Sequence, residues 1–202
     1  MKKEDAIIIF QKKPERGKVK TRLAKTIGDE KAVEVYQYLL DHTHQQVALL
    51  HVPTFVFFDK EVQPEFLRNR NYHSAIQSPG NLGEKMKSAF QEVFDQGYQK
   101  AVIIGTDCKE LEAEILSGAI NSLESHDLVI GPALDGGYYL LGMKKIHPPL
   151  FENKEWSSST VFSDSMKDVK NLGLDTCILK ELSDVDIYED MGDRLKVILG
   201  ID

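Results

Sequence analysis

Three groups of residues have types and spacings that could do chemistry. The first is the loop Pro14-Glu15-Arg16-Gly17-Lys18-Val19-Lys20-Thr21-Arg22, which follows the apolar run Ile7-Ile8-Ile9-Phe10. Gly17 frees the backbone to bring N–H groups toward an anion, Arg22 can grip a phosphate bidentately, and Lys20 can act as a point charge. The loop is not a P-loop, because Gly17-Lys18 is followed by Val19 and position 12 is Lys; nor is it a dinucleotide Gly-x-Gly-x-x-Gly. The second group is Asp107, directly after Ala101-Val102-Ile103-Ile104-Gly105-Thr106. A carboxylate at a strand end can hold Mg²⁺ against a nucleotide phosphate, or can cap the following helix. The third is acidic. Asp135-Gly136-Gly137 reads as a tight turn that also permits close approach of a ligand, and Asp184-Val185-Asp186 places two carboxylates on one face of an extended segment. A metal could use either of that pair, and so could solvent.

The charge distribution sharpens this picture. The chain of 202 residues carries a net charge of −7, yet Lys12 to Lys25 holds seven basic residues and one acidic residue, and Glu181 to Asp202 holds seven acids and two bases. These runs suit a phosphate-attracting loop and a cation-attracting cluster, or two solvated surfaces. The histidines do not cluster: His42 and His44 are two apart on a helix and diverge. Cys108 and Cys177 are far apart and lack ligand spacing, which excludes a disulfide framework or a zinc site, and Cys108 reads as a buried strand-end thiol.

The elements that must carry these residues follow from periodicity. The short β-branched run Ala6–Phe10 suits a strand buried on both faces, as does Ala101–Ile104; Thr54–Phe58, Asp127–Ile130, Tyr138–Leu141 and Thr176–Leu179 read as further strands, and Tyr72–Gln77 as an extended segment. Helical spacing is expected from Gly28 to about Leu50, after Pro64, from Leu82 to Phe94 with Gly97 as its stop, from Leu111 to Leu123, from Thr160 to Lys170 and from Ile187 to Leu199. Alternating strands and helices predict an α/β fold, a three-layer sandwich with a mostly parallel sheet, formed by residues 1–202 as one domain. Ligands then sit beyond the carboxyl ends of the strands, where the basic loop and Asp107 fall. The 42% hydrophobic and 28% charged content excludes a disordered or fibrous chain. No run approaches the length of a membrane span, and no secretory signal is expected, so a cytoplasmic protein is the default. Net acidity argues against a nucleic-acid partner.

Taken in order, several strings resemble a known family: Pro14-x-x-Gly17-x-x-Lys20-Thr21-Arg22-Leu23, Gln77, Gly80-Asn81-Leu82-Gly83-Glu84-Lys85-Met86, Gly105-Thr106-Asp107-Cys108 and Gly131-Pro132-Ala133-x-Asp135-Gly136-Gly137-Tyr138-Tyr139-Leu140, ending with Trp156-Ser157 and Asp184-Val185-Asp186. They are similar to the selenodomain-associated transferases, glycosyltransferase-A-like members of the nucleotide-diphospho-sugar transferase superfamily, over most of the chain. The resemblance implies a Rossmann-like fold. Gly17, Lys20, Arg22 and Gln77 would bind nucleotide and phosphates, Asp107 and Asp186 would hold Mg²⁺ or Mn²⁺, and Asp135 would lie near the acceptor. With Asp107 it would serve catalysis. Lys109 departs from the pattern, standing where the family usually has proline, which puts a cation close to the expected metal.

The expected function is metal-dependent transfer from a nucleotide-activated donor, a nucleotide-diphospho-sugar glycosyltransferase acting on a small acceptor. One alternative is a nucleotidyltransferase that moves a nucleoside monophosphate from an NTP to a phosphate acceptor. Another is a non-catalytic nucleotide-binding protein, for which Lys109 is the argument.

Overall fold

The computed structural model describes residues 3–64 and 72–201. The first strand, β1 (Lys3–Gln11), lies near the middle of a seven-stranded sheet because Ile7, Ile8 and Ile9 are fully buried. Their alternation feeds two separate cores. Ile8 packs on one face with Met86, Ala89 and Phe90 of α3 (Leu82–Asp95), whereas Ile7 and Ile9 pack on the other with Leu116, Ala119 and Ile120 of α4 (Ala113–Ser122). This period-two division of one strand between two helical layers makes the three-layer sandwich.

The other strands are β2 (Thr54–Phe58), β3 (Tyr72–Ile76), β4 (Tyr98–Ile104), β5 (Leu128–Pro132), β6 (Tyr138–Met143) and β7 (Thr176–Ile178), in the sheet order β3-β2-β1-β4-β6-β5-β7. All neighbouring pairs are parallel except those of β6, which runs antiparallel to both β4 and β5. The chain leaves β1 toward β2 on one side and β4 lies on the other, so a crevice opens at the carboxyl end of β1 and β4. The expected α/β fold with a mostly parallel sheet is the observed one.

Two differences from the expected elements have local causes. The basic loop ends earlier, because Thr21–Ile27 forms a separate helix, α1, whose Leu23 is buried against Val35 and Leu39 of α2 (Asp29–Ala48). Gly28 separates α1 from α2 with φ of 82°, a conformation that favours glycine. The final helical segment is broken into a 3₁₀ turn, Tyr188–Met191, and a helix numbered α6 here (Gly192–Leu199), with Gly192 at φ 64°. The helix before β7, α5, spans Val161–Leu172. The short helix expected after Pro64 falls on residues 65–71, outside the described residues. Among the described residues no helix is long and apolar enough to cross a membrane.

The start of α3 is fixed by a capping box: Asn81 Oδ1 accepts from Glu84 N at 3.1 Å, and Glu84 Oε2 accepts from Asn81 N at 2.8 Å. Gly83, one turn in, has no room for a side chain. A Cβ there would lie 2.2 Å from Phe151 O and 2.5 Å from Trp156 Cζ2. Alanine is the better helix former, by about 1 kcal/mol. Here the clash outweighs that gain, and Gly83→Ala is expected to destabilise the protein by about 1–3 kcal/mol. A urea-unfolding midpoint equal to or above that of the parent would show that Trp156 and Phe151 yield without cost.

Candidate functional site

A cleft of about 620 Å³ opens at the carboxyl edge of β1 and β4. Of the residues singled out in the sequence, Lys20, Arg22, Gln77, Asp107, Asp135 and Asp186 all line it, as does Asp184. Gly17 does not. It is exposed in the turn Glu15–Lys18 at φ 69°, where Lys18 N donates to Glu15 O, and nothing lies within 4 Å of a Cβ built on it. Its freedom serves the turn.

Lys20 is the centre of the charged half. Its backbone is left-handed, φ 46° and ψ 41°, at the N-cap of α1, a conformation that costs a non-glycine residue about 1–2 kcal/mol. The side chain is only 3% exposed, and its Nζ lies 2.8 Å from Asp107 Oδ1 and 3.6 Å from Asp186 Oδ1. Arg22 Nη1 reaches Asp186 Oδ2 at 3.1 Å. The strained turn therefore aims an ammonium between carboxylates from two distant segments.

Those segments are joined by backbone. Val185 N donates to Asp107 O at 2.9 Å, and Cys108 pairs with Asp184 as an isolated antiparallel bridge. Val185 itself is fully buried with Leu23, Met191 and Leu195. Asp107 does not cap the next helix, since the N-cap of α4 is Glu112. Behind it, the buried Tyr36 hydroxyl accepts from Lys12 N at 3.0 Å and lies 3.3 Å from Thr106 Oγ1, tying the ends of β1 and β4 together. Burial, with the Asp107 carboxylate second, pushes the Tyr36 phenol well above its ordinary pKa, so it stays a neutral tie. Cys108 is buried and its thiol is pushed up to about 12, chiefly by burial, so it is no nucleophile at neutral pH.

Asp184 is the functional candidate that spacing alone did not single out from its neighbour. Burial raises its pKa from 3.8 to about 7, helped by Asp107 and Asp135; Lys20 opposes this and Asp186 adds to it. No hydrogen bond or ion pair holds its carboxyl among the described residues, whereas both oxygens of Asp186 face a cation. The only sequence signal was the Asp-x-Asp spacing, which marks both residues equally.

Lys109 does not reach into this cluster. Its Nζ donates to Asp190 O at 2.5 Å and to Met191 O at 2.8 Å. Asp190 Oδ2 in turn accepts from Asp186 N and Ile187 N, both at 2.9 Å. The lysine that replaces proline thus braces the turn that holds Asp186. Lys109→Ala is expected to lower stability by about 1–2 kcal/mol, the size of a charge-assisted hydrogen bond lost in a half-buried setting. An unchanged melting temperature would show that this brace carries nothing.

The opposite half of the cleft is largely apolar, with Phe10, Leu82, Met86, Tyr138, Trp156 and Val161. The turn bearing Asp135 is fastened to this half. Gly136, at φ 89°, could carry a Cβ only 2.1 Å from Ser159 O, and Phe162 N donates to Gly136 O at 2.9 Å. Asp135 Oδ1 accepts from Gly137 N at 2.8 Å, which sets the carboxylate on an exposed turn at the rim.

The residues present fit a divalent cation in donor chemistry. Asp107 keeps Oδ2 without a partner among the described residues, and burial raises Asp184 with help from neighbouring carboxylates whose repulsion a dication would relieve. Among the described residues no three His, Cys, Asp or Glu side chains make a ready cage. A metal here would complete its shell with phosphate oxygens and water, as Mg²⁺ commonly does.

Comparison with known proteins supports this fold. Residues 42–158 match the family described as "uncharacterized protein conserved in bacteria (DUF2064)". A crystal structure of a proposed nucleotide-diphospho-sugar transferase from Desulfovibrio desulfuricans G20 is 31% identical, with a TM-score of 0.86 over 97% of this chain and 91% of that one. The 4-diphosphocytidyl-2C-methyl-D-erythritol synthase of Anaerococcus prevotii DSM 20548 shares 11% identity and a TM-score of 0.65 over 97% of this chain and 98% of that one. A cytidylyltransferase from Leptospira borgpetersenii shares 11% identity and a TM-score of 0.58, over 98% and 87%. The last two likenesses are of fold. No curated protein sequence matches the chain significantly. The chain belongs to the DUF2064 family and, with it, to the glycosyltransferase-A-like proteins of the nucleotide-diphospho-sugar transferase type.

Proposed function

We propose that the protein is a Mg²⁺- or Mn²⁺-dependent transferase that takes a nucleotide-diphospho-sugar as donor and a small hydroxyl compound as acceptor. The observation that carries this reading is the 2.8 Å pairing of Lys20 with Asp107 inside the cleft, which puts a cation and an unsaturated carboxylate at the sheet edge where nucleotides bind. Lys20 and Arg22 bind the diphosphate by exchanging the Asp186 carboxylate for phosphate oxygens, with Lys12 as a further cation at the end of β1. Gln77 lies beside the donor, its Nε2 anchored on Phe57 O at 3.1 Å. Asp107 would hold the metal through Oδ2, with a second carboxylate from the 184–186 segment: Asp184 as it stands, or Asp186 once phosphate has drawn off its cations. The metal supplies positive charge against the leaving diphosphate.

In the transfer itself, the acceptor oxygen forms a bond to the anomeric carbon. The bond from that carbon to the β-phosphate oxygen breaks, and the nucleoside diphosphate leaves with the electron pair. Asp135 takes the acceptor's proton, a role worth roughly 10²–10⁴-fold when geometry is right. Lys20 and Arg22 neutralise the charge that develops on the leaving group.

Thermal shifts against nucleotide-diphospho-sugars and NTPs, with and without Mn²⁺, test the reading. A ligand at about 100 times its Kd stabilises the native state by about 2.7 kcal/mol. Stabilisation by a nucleotide sugar only in the presence of Mn²⁺ is the expected result, and stabilisation by no nucleotide at all would end the reading. Three cations on one wall, Lys12, Lys20 and Arg22, also suit a triphosphate, so nucleotidyl transfer is the second reading. Pyrophosphate release from an NTP in the presence of a phosphate acceptor would select it. The non-catalytic reading rested on Lys109, whose ammonium is engaged by two carbonyls outside the cleft lining.

A further inference from the structure

The acceptor is the partner of this reaction that neither family nor fold identifies, and the apolar half of the cleft carries information about it. Three segments converge there. The first turn of α3 contributes Leu82, Lys85 and Met86, which share one face by their helical spacing. Gly83 of the same turn lies against the Trp156 ring, and the Tyr138 hydroxyl donates to Met86 Sδ at 3.9 Å. The 156–162 segment is fastened to the Asp135 turn through Gly136. The wall is thus an aromatic and thioether surface with one cation, Lys85, and one carboxylate at the rim, Asp135.

Lys85 is conspicuous for what it does not do. It is half-buried and lines the cleft, yet its ammonium makes no ion pair or hydrogen bond among the described residues. Lys20 and Arg22, by contrast, are matched to Asp107 and Asp186. Among the described residues the Tyr138 hydroxyl has only a sulfur for a partner, and burial pushes its phenol well above the ordinary value, so it remains a proton donor. An ammonium set among Leu82, Met86 and the Trp156 wall favours a ligand that brings its own negative charge next to an apolar face.

We propose that this half of the cleft is an acceptor subsite for an anionic hydroxyl compound, a phosphorylated sugar or polyol. Its carbon skeleton lies against Trp156 and Tyr138, and its phosphate is taken by Lys85. This rests on the transferase reading for its name as an acceptor site, but the binding stands apart from the donor. Sugar rings present C–H faces that stack on aromatic rings, and a phosphate on lysine adds a charge-assisted hydrogen bond.

Trp156 is the single tryptophan of the chain, so its fluorescence reports on this wall directly. The experiment titrates the intact protein, without nucleotide, with glucose 6-phosphate, glucose and inorganic phosphate. The expected result is a saturable change with glucose 6-phosphate at a concentration at least about tenfold below that for glucose, and no comparable change with inorganic phosphate. Lys85→Gln, a surface-compatible change whose folding is checked by its melting curve, should abolish the preference for the phosphorylated sugar. No response to glucose 6-phosphate up to about 10 mM overturns the proposal. So does a preference that survives in Lys85→Gln, or one that is lost in Arg22→Gln while Lys85→Gln keeps it, since that places the phosphate in the donor half. Failure of nucleotide sugars to stabilise the protein would defeat the transferase reading and leave this binding result standing.

Discussion

Asp107→Asn is expected to abolish the Mn²⁺-dependent part of nucleotide-sugar binding and to lower transfer by about 10²–10³-fold. Asparagine keeps the shape of the side chain and an oxygen that can accept from Lys20, now 2.8 Å from Asp107 Oδ1. The backbone carbonyl of residue 107 still accepts from Val185 N. The fold should therefore survive, and what is lost is a full negative charge at a cleft-lining carboxylate whose Oδ2 has no partner among the described residues. The measurement is the thermal shift by nucleotide sugar across a Mn²⁺ titration, followed by nucleoside diphosphate release. A variant whose nucleotide binding keeps the parent's metal dependence would show that Asp107 holds no metal.

Asp184→Asn is expected to stabilise the metal-free protein, and to do so in a pH-dependent way. Asp184 titrates near 3.8 in an unfolded chain and at about 7 in the folded one, because it is buried and faces the carboxylates of Asp107, Asp135 and Asp186 with only Lys20 in opposition. Between those values the folded chain binds more protons than the unfolded chain, so this group makes stability fall as pH rises from about 4 to about 7. Above that range the carboxylate is charged in both states and the whole penalty stands. A displacement of this size is worth about 4 kcal/mol at most, and asparagine removes it. Unfolding in chelator-treated buffer should therefore show a large gain for the variant at pH 8 that shrinks toward zero at pH 4. A gain that is constant with pH, or a loss at pH 8, would show that folding does not raise the Asp184 carboxyl. Mn²⁺ should reverse the ranking, since a dication favours the ionised parent.

The sheet was legible because its information is local. Ile7-Ile8-Ile9 is too apolar for any position but a central strand, and the run Ala101–Ile104 carries Asp107 to the sheet edge whatever the remainder does. Strand-end residues land at the crevice by the geometry of parallel sheets, so Lys20 and Asp107 could be assigned to one region from their flanking elements alone. The helix Thr21–Ile27 was not legible. It begins seven residues after Pro14 and buries a single side chain, Leu23, and it forms because Leu23 finds a pocket made by residues from α2 and the far C-terminal segment. The direction of Lys109 was equally hidden, since its acceptors lie some eighty residues on, at carbonyls exposed only by the 3₁₀ turn.

By itself, then, the amino-acid order determined the alternation of strands and helices, the family motifs and which side chains sit at strand ends. Those features depend on periodicities of two and 3.6 residues and on near neighbours. Tertiary structure alone decided that Asp184-Val185-Asp186 is stitched to Asp107-Cys108, that Lys20 turns left-handed to stand between two of those acids, and that Asp184 rather than Asp186 is left without a cation. Charge interactions and desolvation depend on distance and burial in space, and no spacing along the chain encodes either.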